Sequence, residues 1–285
     1  MTCFGLVLHP DFYQNKDILE LLDALCHLYG IRFYHACPEN SALPGYIEPY
    51  PFRSKKAPVL HCILVFGGDG TILRTKDFSL QTDAPILGIN LGYLGFLSET
   101  TLSEISQSFQ DLLNGKYKLL HRMLLNCQLR RNGKIVYQGL ALNDAVVYKA
   151  DTPRLIQVRI YHDNRYVFDC RCDGVIAATP TGSTAYSLSA GGPILSPQMK
   201  AIVISPLNPH NLTIRPMVFP AEGKLIMRIH GLTQPAWLQI DGVNCIQADP
   251  NDELIVSAAK PTVSFIKLSN RTFYKILRNK MHLGR

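Results

Sequence analysis

Apolar positions in the first third of the chain alternate between two periods. "CFGLVLH", "IRFYHA", "PVLHCILVF" and "APILGIN" are apolar runs of strand length. Between them, "NKDILELLDALCHLYG" sets Ile18, Leu21, Leu22, Leu25 and Leu28 at helical spacing and stops on Gly30. "TILRTKDFSL" begins a second helix. "TLSEISQSFQDLLNG" forms a third, with Thr101 or Ser103 as its cap and Gly115 as its stop. Residues 38–58, rich in proline and polar groups, read as a loop. Strands alternating with helices predict an α/β domain with a parallel, doubly wound sheet over residues 1–115.

The pattern changes near residue 116. "MLLNCQLRRNGKIVYQGLALNDAVVY" is a hairpin about Asn132-Gly133, and "RLIQVRIYHDNRYVFDC" repeats it about Asp163-Asn164. "KLIMRIHG", "AWLQIDG", "ELIVSAA" and "TVSFIKL" continue the alternation, which predicts an all-β domain over 116–268. "GSTAYSLSAGG" interrupts it with one short helix. The tail, 269–285, is helical again and is expected to pack back on the first domain.

The 285 residues suffice for one large domain or two ordinary ones, and 47% of them are hydrophobic, enough for a sizeable core. A net charge of +7 points to anionic ligands. The basic residues are spread out with no run of five, which argues against a nucleic-acid arm and fits a small phosphorylated ligand. Of eight cysteines, Cys3, Cys26, Cys62 and Cys127 stand alone in apolar segments and read as reduced, buried thiols. "CRC" at 170–172 is a close pair without a second pair, a weak zinc signal. No apolar run reaches the ~18–20 residues of a membrane span, and "MTCFGLVLHPD" lacks a basic leader. A reducing cytoplasm is the expected compartment.

Candidate chemistry concentrates in four segments. In "FGGDGT", residues 66–71, Gly67, Gly68 and Gly70 permit positive φ and leave room for a ligand. A glycine loop between a strand and a helix suits a diphosphate, although neither the G-x-x-x-x-G-K-[ST] nor the G-x-G-x-x-G spacing is present. Asp69 would repel phosphate unless it holds Mg²⁺ or accepts a proton from a hydroxyl attacking phosphorus; the bland alternative is a tight surface turn. In "LALNDAVVYK", Asn143 and Asp144 interrupt an apolar strand, as a nucleoside contact or a hairpin end. "CRCDGVIAATPTGSTAYSLSAGG" offers hydroxyls and Tyr186 in a compact turn, either a pocket wall or a structural turn. "NPHNLTIRPMVFP" carries His210 and Arg215 between stiffening prolines, where bracing of the loop is expected. Asp241-Gly242 reads equally as a turn or a site residue.

The order of "GGDGT", "GINLGYLGFL", "LNDAVV" and "DGVIAATPTGSTAYSLSAGGP" resembles the NAD kinase family, and "NPHNLTIRPMVFP" and "FYKILRNKMHLG" match its later segments. The resemblance runs from about residue 59 to the end. "GGDGT" alone is shared with lipid kinases and phosphofructokinases; "TPTGSTAY" with the Asn-Asp pair is more specific. The resemblance implies an α/β domain followed by a β-sandwich-like domain, a homo-oligomer, and a site between the domains. It implies phosphorylation of the adenosine ribose 2′-hydroxyl of NAD, with ATP or another donor and a divalent metal, Mg²⁺. Carried onto this chain, Asp69 is the proton acceptor. Gly68, Gly70 and Thr71 lie along the diphosphate, and Arg74 is a phosphate contact. Asn143 and Asp144 hold the adenosine part, and Arg171 and Asp173 stand near the nicotinamide. Thr184, Ala185, Tyr186, Ser187, Leu188 and Ser189 line the pocket, with Arg154 a further contact. No residue is assigned as a metal ligand. Two positions depart from the family: Cys172 where glycine is common, which would shift the turn before Asp173, and Val243 where glutamine is common. The competing functions are a lipid or sugar kinase with the same glycine loop and a non-catalytic dinucleotide sensor.

Overall fold

The computed structural model describes residues 2–36, 43–92, 95–150, 153–230 and 236–282; the sequence expectations at 38–42, 93–94 and 283–285 lie outside the described residues. The chain divides into two compact units, Met1–His121 with Val263–Arg285, and Arg122–Thr262.

In the first unit, β1 (Cys3–Leu8), β2 (Arg32–His35), β3 (Ile47–Pro49), β4 (Leu60–Phe66) and β5 (Ile86–Asn90) form a parallel sheet in the order β3-β2-β1-β4-β5. The short β6 (Thr100–Thr101) pairs with β5. Because β1 lies between β2 and β4, the winding reverses there, and open α/β sheets bind ligands beyond the strand ends at such a reversal. The glycine loop follows β4 at that point. Helices α1 (Lys16–Tyr29) and α4 (Ile105–Leu113) bury Ile18, Leu22, Ile105 and Phe109 against Phe4, Leu6, Leu64 and Phe66. Ile72 of α2 (Asp69–Arg74) and Phe78 of α3 (Lys76–Thr82) pack on the opposite face, where Gly5 and Gly88 admit them. Helices on both faces make this the doubly wound architecture expected.

Local chemistry explains the helix ends. Asn15 caps α1 by accepting the Ile18 N–H at 3.1 Å, and Gly30 closes it at φ 60°. The second helix is divided at Thr75, whose hydroxyl donates to the Thr71 carbonyl at 2.9 Å. Neither Thr101 nor Ser103 caps α4. A 3₁₀ turn, Leu102–Glu104, precedes that helix, and the Thr101 hydroxyl bonds Ser103 and Glu104 instead of a backbone N–H. Within the stretch read as loop, β3 is a strand; three residues ending in proline are too short to show a period.

The second unit is antiparallel. Its hairpin joins β7 (Lys118–Arg131) and β8 (Lys134–Ala141). A six-stranded sheet runs β14 (Met217–Pro220), β13 (Ala201–Leu207), β12 (Gly174–Ala178), β9 (Asp144–Lys149), β16 (Ala236–Ile240), β17 (Val243–Ala248). Facing it, β11 (Arg165–Cys172), β10 (Ile156–His162), β15 (Leu225–His230) and the start of β18 (Glu253–Lys267) form a second layer. Val147, Val175, Ile204 and Leu238 from one layer meet Val158, Ile160, Met227 and Val256 from the other in one core, as in a sandwich. Both expected hairpin turns form, with positive φ at Asn132 and Gly133 and at Asp163 and Asn164. Between β12 and β13 a 3₁₀ turn, Gly182–Thr184, leads into the four-residue α5 (Tyr186–Ser189).

The tail returns to the first unit. Glu99, buried, accepts the N–H groups of Leu268 (3.0 Å) and Ser269 (2.6 Å) and pairs with Lys267 Nζ at 2.7 Å. Helix α6 (Phe273–Met281) follows, capped by Thr272.

Candidate functional site

In the first unit the site is built on the carboxyl end of β4. Gly67 takes φ 155°, and a Cβ there would meet the Thr71 hydroxyl at 2.6 Å. Gly68 (φ −83°) and Gly70 do not use left-handed backbone; they are exposed and nothing lies within 4 Å of where a Cβ would stand. Their smallness therefore keeps the loop open rather than permitting a turn, which corrects the expectation of positive φ at all three. Asp69 is half-buried as the first residue of α2. Its Oδ2 accepts the Phe96 N–H at 2.8 Å and its Oδ1 accepts the Leu97 N–H at 3.1 Å. Each oxygen keeps a lone pair, so the carboxylate is held in one orientation while still able to accept a proton. A Cβ on Gly95 would fall 1.9 Å from Asp69 Oδ1, so only glycine leaves room for this arrangement. Thr71 is buried and Arg74 exposed at the end of α2.

In the second unit, β8 ends at Ala141 and β9 begins at Asp144, leaving Asn143 in the bend between them. Three groups hold this bend. Asp241, at φ 47° in the β16–β17 turn, accepts the N–H groups of Leu142 (Oδ2, 2.9 Å), Asn143 (Oδ1, 2.7 Å) and Asp144 (Oδ1, 3.2 Å). Thr179 donates its hydroxyl to the Leu142 carbonyl at 2.6 Å and its N–H to the Asn143 carbonyl at 2.8 Å. Gly182 presses so closely that a Cβ would sit 2.1 Å from the Asn143 carbonyl oxygen. The Asn-Asp pair and the "TPTGSTAY" turn are thus one packed cluster. Asp144 is buried, and burial first, then the neighbouring Asp241 carboxylate, push its carboxyl up to about 7.

The other candidate residues take several settings. Thr184 donates to the Thr181 carbonyl at 3.3 Å. Ala185, Leu188 and Ser189 are partly or fully exposed on the turn, and Tyr186 is 45% exposed. Burial, followed by Asp144, raises the Tyr186 hydroxyl. Ser187 departs from its expected place on the pocket wall: it is wholly buried, 2.9 Å from the Ser205 hydroxyl, because Gly192 lets the following loop close over it. Asp173 does not pair with Arg171. It binds Lys149 Nζ at 2.7 Å and Asn208 Nδ2 at 2.8 Å, which hold its carboxyl below the usual range. Arg171 is exposed, and its carbonyl accepts the His210 N–H at 2.8 Å. Arg154 is exposed on the segment before β10. Arg215 donates to the carbonyls of Leu212 and Ile214 and braces its own loop. Cys172 lies in the core at the end of β11, paired with Ile156, so the side chain points away from the turn it was expected to shift. Val243 is exposed.

Comparison with known proteins gives this arrangement its context. Residues 45–117 match the ATP-NAD kinase N-terminal domain, and residues 142–268 match the ATP-NAD kinase C-terminal domain. The NAD kinase of Desulforamulus reducens is 40% identical over 282 residues, 99% of this chain and 97% of its own length. The chain belongs to the NAD kinase family. A Clostridium botulinum NAD kinase (strain Kyoto) is likewise 40% identical, over 99% of this chain and 96% of the relative. Among solved structures, yeast NADH kinase complexed with NADH superposes with a TM-score of 0.86 at 25% identity, over 100% of this chain and 88% of that one. An Archaeoglobus fulgidus NAD kinase in complex with ATP shares the fold, with a TM-score of 0.73 at 22% identity over 99% of both chains. Membership of this phosphotransferase family over nearly the whole chain displaces the lipid-kinase, sugar-kinase and passive-sensor readings.

Among the described residues no group of three or more His, Cys, Asp or Glu is gathered to hold a metal ion. Magnesium bound by nucleotide phosphates needs only one or two protein oxygens, which a single carboxylate such as Asp69 fits. Among the described residues no helix is long and apolar enough to cross a membrane.

Proposed function

We propose that this chain phosphorylates the adenosine ribose 2′-hydroxyl of NAD to give NADP, with ATP as donor. The observation that carries the mechanism is the fixed Asp69 carboxylate in a loop otherwise suited to phosphate. Asp69 accepts the hydroxyl proton as that oxygen attacks the γ-phosphorus, whose bond to the β–γ bridging oxygen breaks to release ADP. Gly68, Gly70 and Thr71 flank the diphosphate, where the missing side chains of the two glycines allow close approach, and Arg74 contributes positive charge. The donor enters as its magnesium complex, the ion neutralising phosphate charge. A loose phosphoryl transition state gains most from positioning and charge neutralisation.

Asn143 and Asp144 hold the adenosine part. With its carboxyl near 7, Asp144 both accepts from and donates to ribose hydroxyls. Thr184, Ala185, Tyr186, Leu188 and Ser189 line the dinucleotide, with Tyr186 against a flat ring, while Ser187 anchors the turn from beneath. Arg171 and Asp173 serve the nicotinamide end, and Arg154 adds a further contact. The motif resemblance implies a homo-oligomer, and cysteines that are free among the described residues suit a reducing cytoplasm.

The test is direct. Protein, ATP, Mg²⁺ and NAD are incubated, and product is read with an NADP-specific dehydrogenase. NADP formation is expected; its absence, with phosphate passing instead to a lipid or sugar, would refute the proposal.

A further inference from the structure

None of the residues given a catalytic or binding role above lines a cavity of about 420 Å³ in the second unit, whose walls include Arg130, Asn132, Arg228, His230, Asn251 and Glu253. Three strands build it. Arg130 stands near the end of β7, just before the Asn132-Gly133 turn. Arg228 and His230 are two apart on β15 and share a face. Glu253 opens β18 directly opposite Arg228. Asn132 (φ 49°) and Asn251 (φ 69°) sit at turn tips on the rim.

The positive charge here is only partly answered. Arg228 Nε donates to Glu253 Oε1 at 2.8 Å, and its guanidinium lies 5.4 Å over the Tyr161 ring, so it is both fixed and paired. Nearby Arg159 is paired with Asp169 at 2.9 Å. Arg130 has no hydrogen-bond or ion-pair partner among the described residues, and its Nε is buried. His230 Nε2 is likewise buried without a partner. One unpaired guanidinium and one unpaired imidazole therefore border the same cavity, with rim amides as neutral donors. Buried polar atoms left unmatched in a native fold call for a partner, and the charged groups lining the cavity are two arginines against one glutamate.

We infer that this cavity is a second anion site, which takes a phosphoryl oxyanion between Arg130 and His230, with Arg228 held by Glu253 as its electrostatic wall. An anion accepting from Arg130 and His230 completes both hydrogen-bond sets and balances the unpaired charge. The inference is independent of the proposed reaction.

His230 supplies the readout. Burial first, then Arg159 and Arg228, keep its imidazole below the ordinary value, with Asp169 opposing. A bound anion reverses the sign of that local field. The intact chain, labelled at histidine, is titrated by NMR with and without pyrophosphate; His230→Gln identifies the resonance. Pyrophosphate is expected to raise the His230 midpoint by about one pH unit. Arg130→Gln is expected to abolish the rise and Arg130→Lys to retain part of it. A wild-type midpoint that does not move in excess pyrophosphate overturns the site, whether or not either variant folds. An equal rise in Arg130→Gln overturns the role of Arg130.

Discussion

Asp241 Oδ1 accepts the Asn143 N–H at 2.7 Å across a sequence separation of 98 residues. With the same side chain bonded to the N–H groups of Leu142 and Asp144, one carboxylate sets the backbone of the whole bend. Asp241 itself is held in return, its N–H donating to the Asp144 carbonyl at 3.0 Å. Of the two alternatives at this position the structure shows the turn, and that turn aims the carboxylate at the bend that carries Asn143.

Asp241→Asn leaves one amide N–H group facing backbone N–H donors. An unsatisfied buried donor costs about 1–3 kcal/mol, and a loss of that size is expected in urea unfolding. KM for NAD should rise more than kcat falls, because Asp241 positions the Asn143 bend without touching the reacting atoms.

Asp144 imposes a pH dependence of defined sign. Its folded carboxyl lies near 7, above the ~3.9 of an unfolded aspartate. The folded state therefore holds the proton that the unfolded state releases first. This contribution to stability is complete below about pH 4, declines as pH rises, and is gone above about pH 7. Three pH units correspond to about 4 kcal/mol as an upper bound. Unfolding free energies at pH 5, 6, 7 and 8, taken as wild type minus Asp144→Asn, should show this decline; a flat difference would refute it. Combined with Asp241→Asn, the decline should move to lower pH, since one of the two causes of the shift is removed.

Asp69→Asn keeps the size of the side chain, turns one amide N–H toward the Phe96 or Leu97 N–H, and removes the proposed proton acceptor. Turnover is expected to fall by about 10²- to 10⁴-fold, with the dissociation constant for NAD nearly unchanged in calorimetry. Near-normal turnover would remove Asp69 from the chemistry.

Two glycine-to-alanine changes act through different neighbours. In Gly95→Ala the new methyl meets the end of the Asp69 side chain, which can turn away but then leaves the Phe96 and Leu97 N–H groups, so activity should collapse with a loss of stability of about 1–3 kcal/mol. In Gly182→Ala it meets the Asn143 backbone, which cannot, and overpacking of about 1–3 kcal/mol is expected in the unfolding curve.

Glu99 tests the tail. Glu99→Ala leaves the Leu268 and Ser269 N–H groups and the Lys267 ammonium without their shared partner. Proteolysis beyond residue 262 should accelerate relative to wild type.

By itself the sequence determined whatever local period and turn chemistry control. The alternation of strand and helix from Cys3 to Leu113, the hairpins at Asn132-Gly133 and Asp163-Asn164, and the motif order that marks the family were all legible. Short or special features were not. β3 is too brief for a period, and the 3₁₀ turn before α4 displaced an otherwise plausible cap. Only the tertiary structure decided what surrounds the candidate residues. Asp69 is oriented by N–H groups 27 and 28 residues away, Asn143 by a carboxylate 98 residues away, and Ser187 is drawn inward by Ser205. Hydrogen bonds and van der Waals exclusion act over a few ångströms of space. Sequence pattern registers only neighbours along the chain, so partners brought together by folding leave no periodic trace.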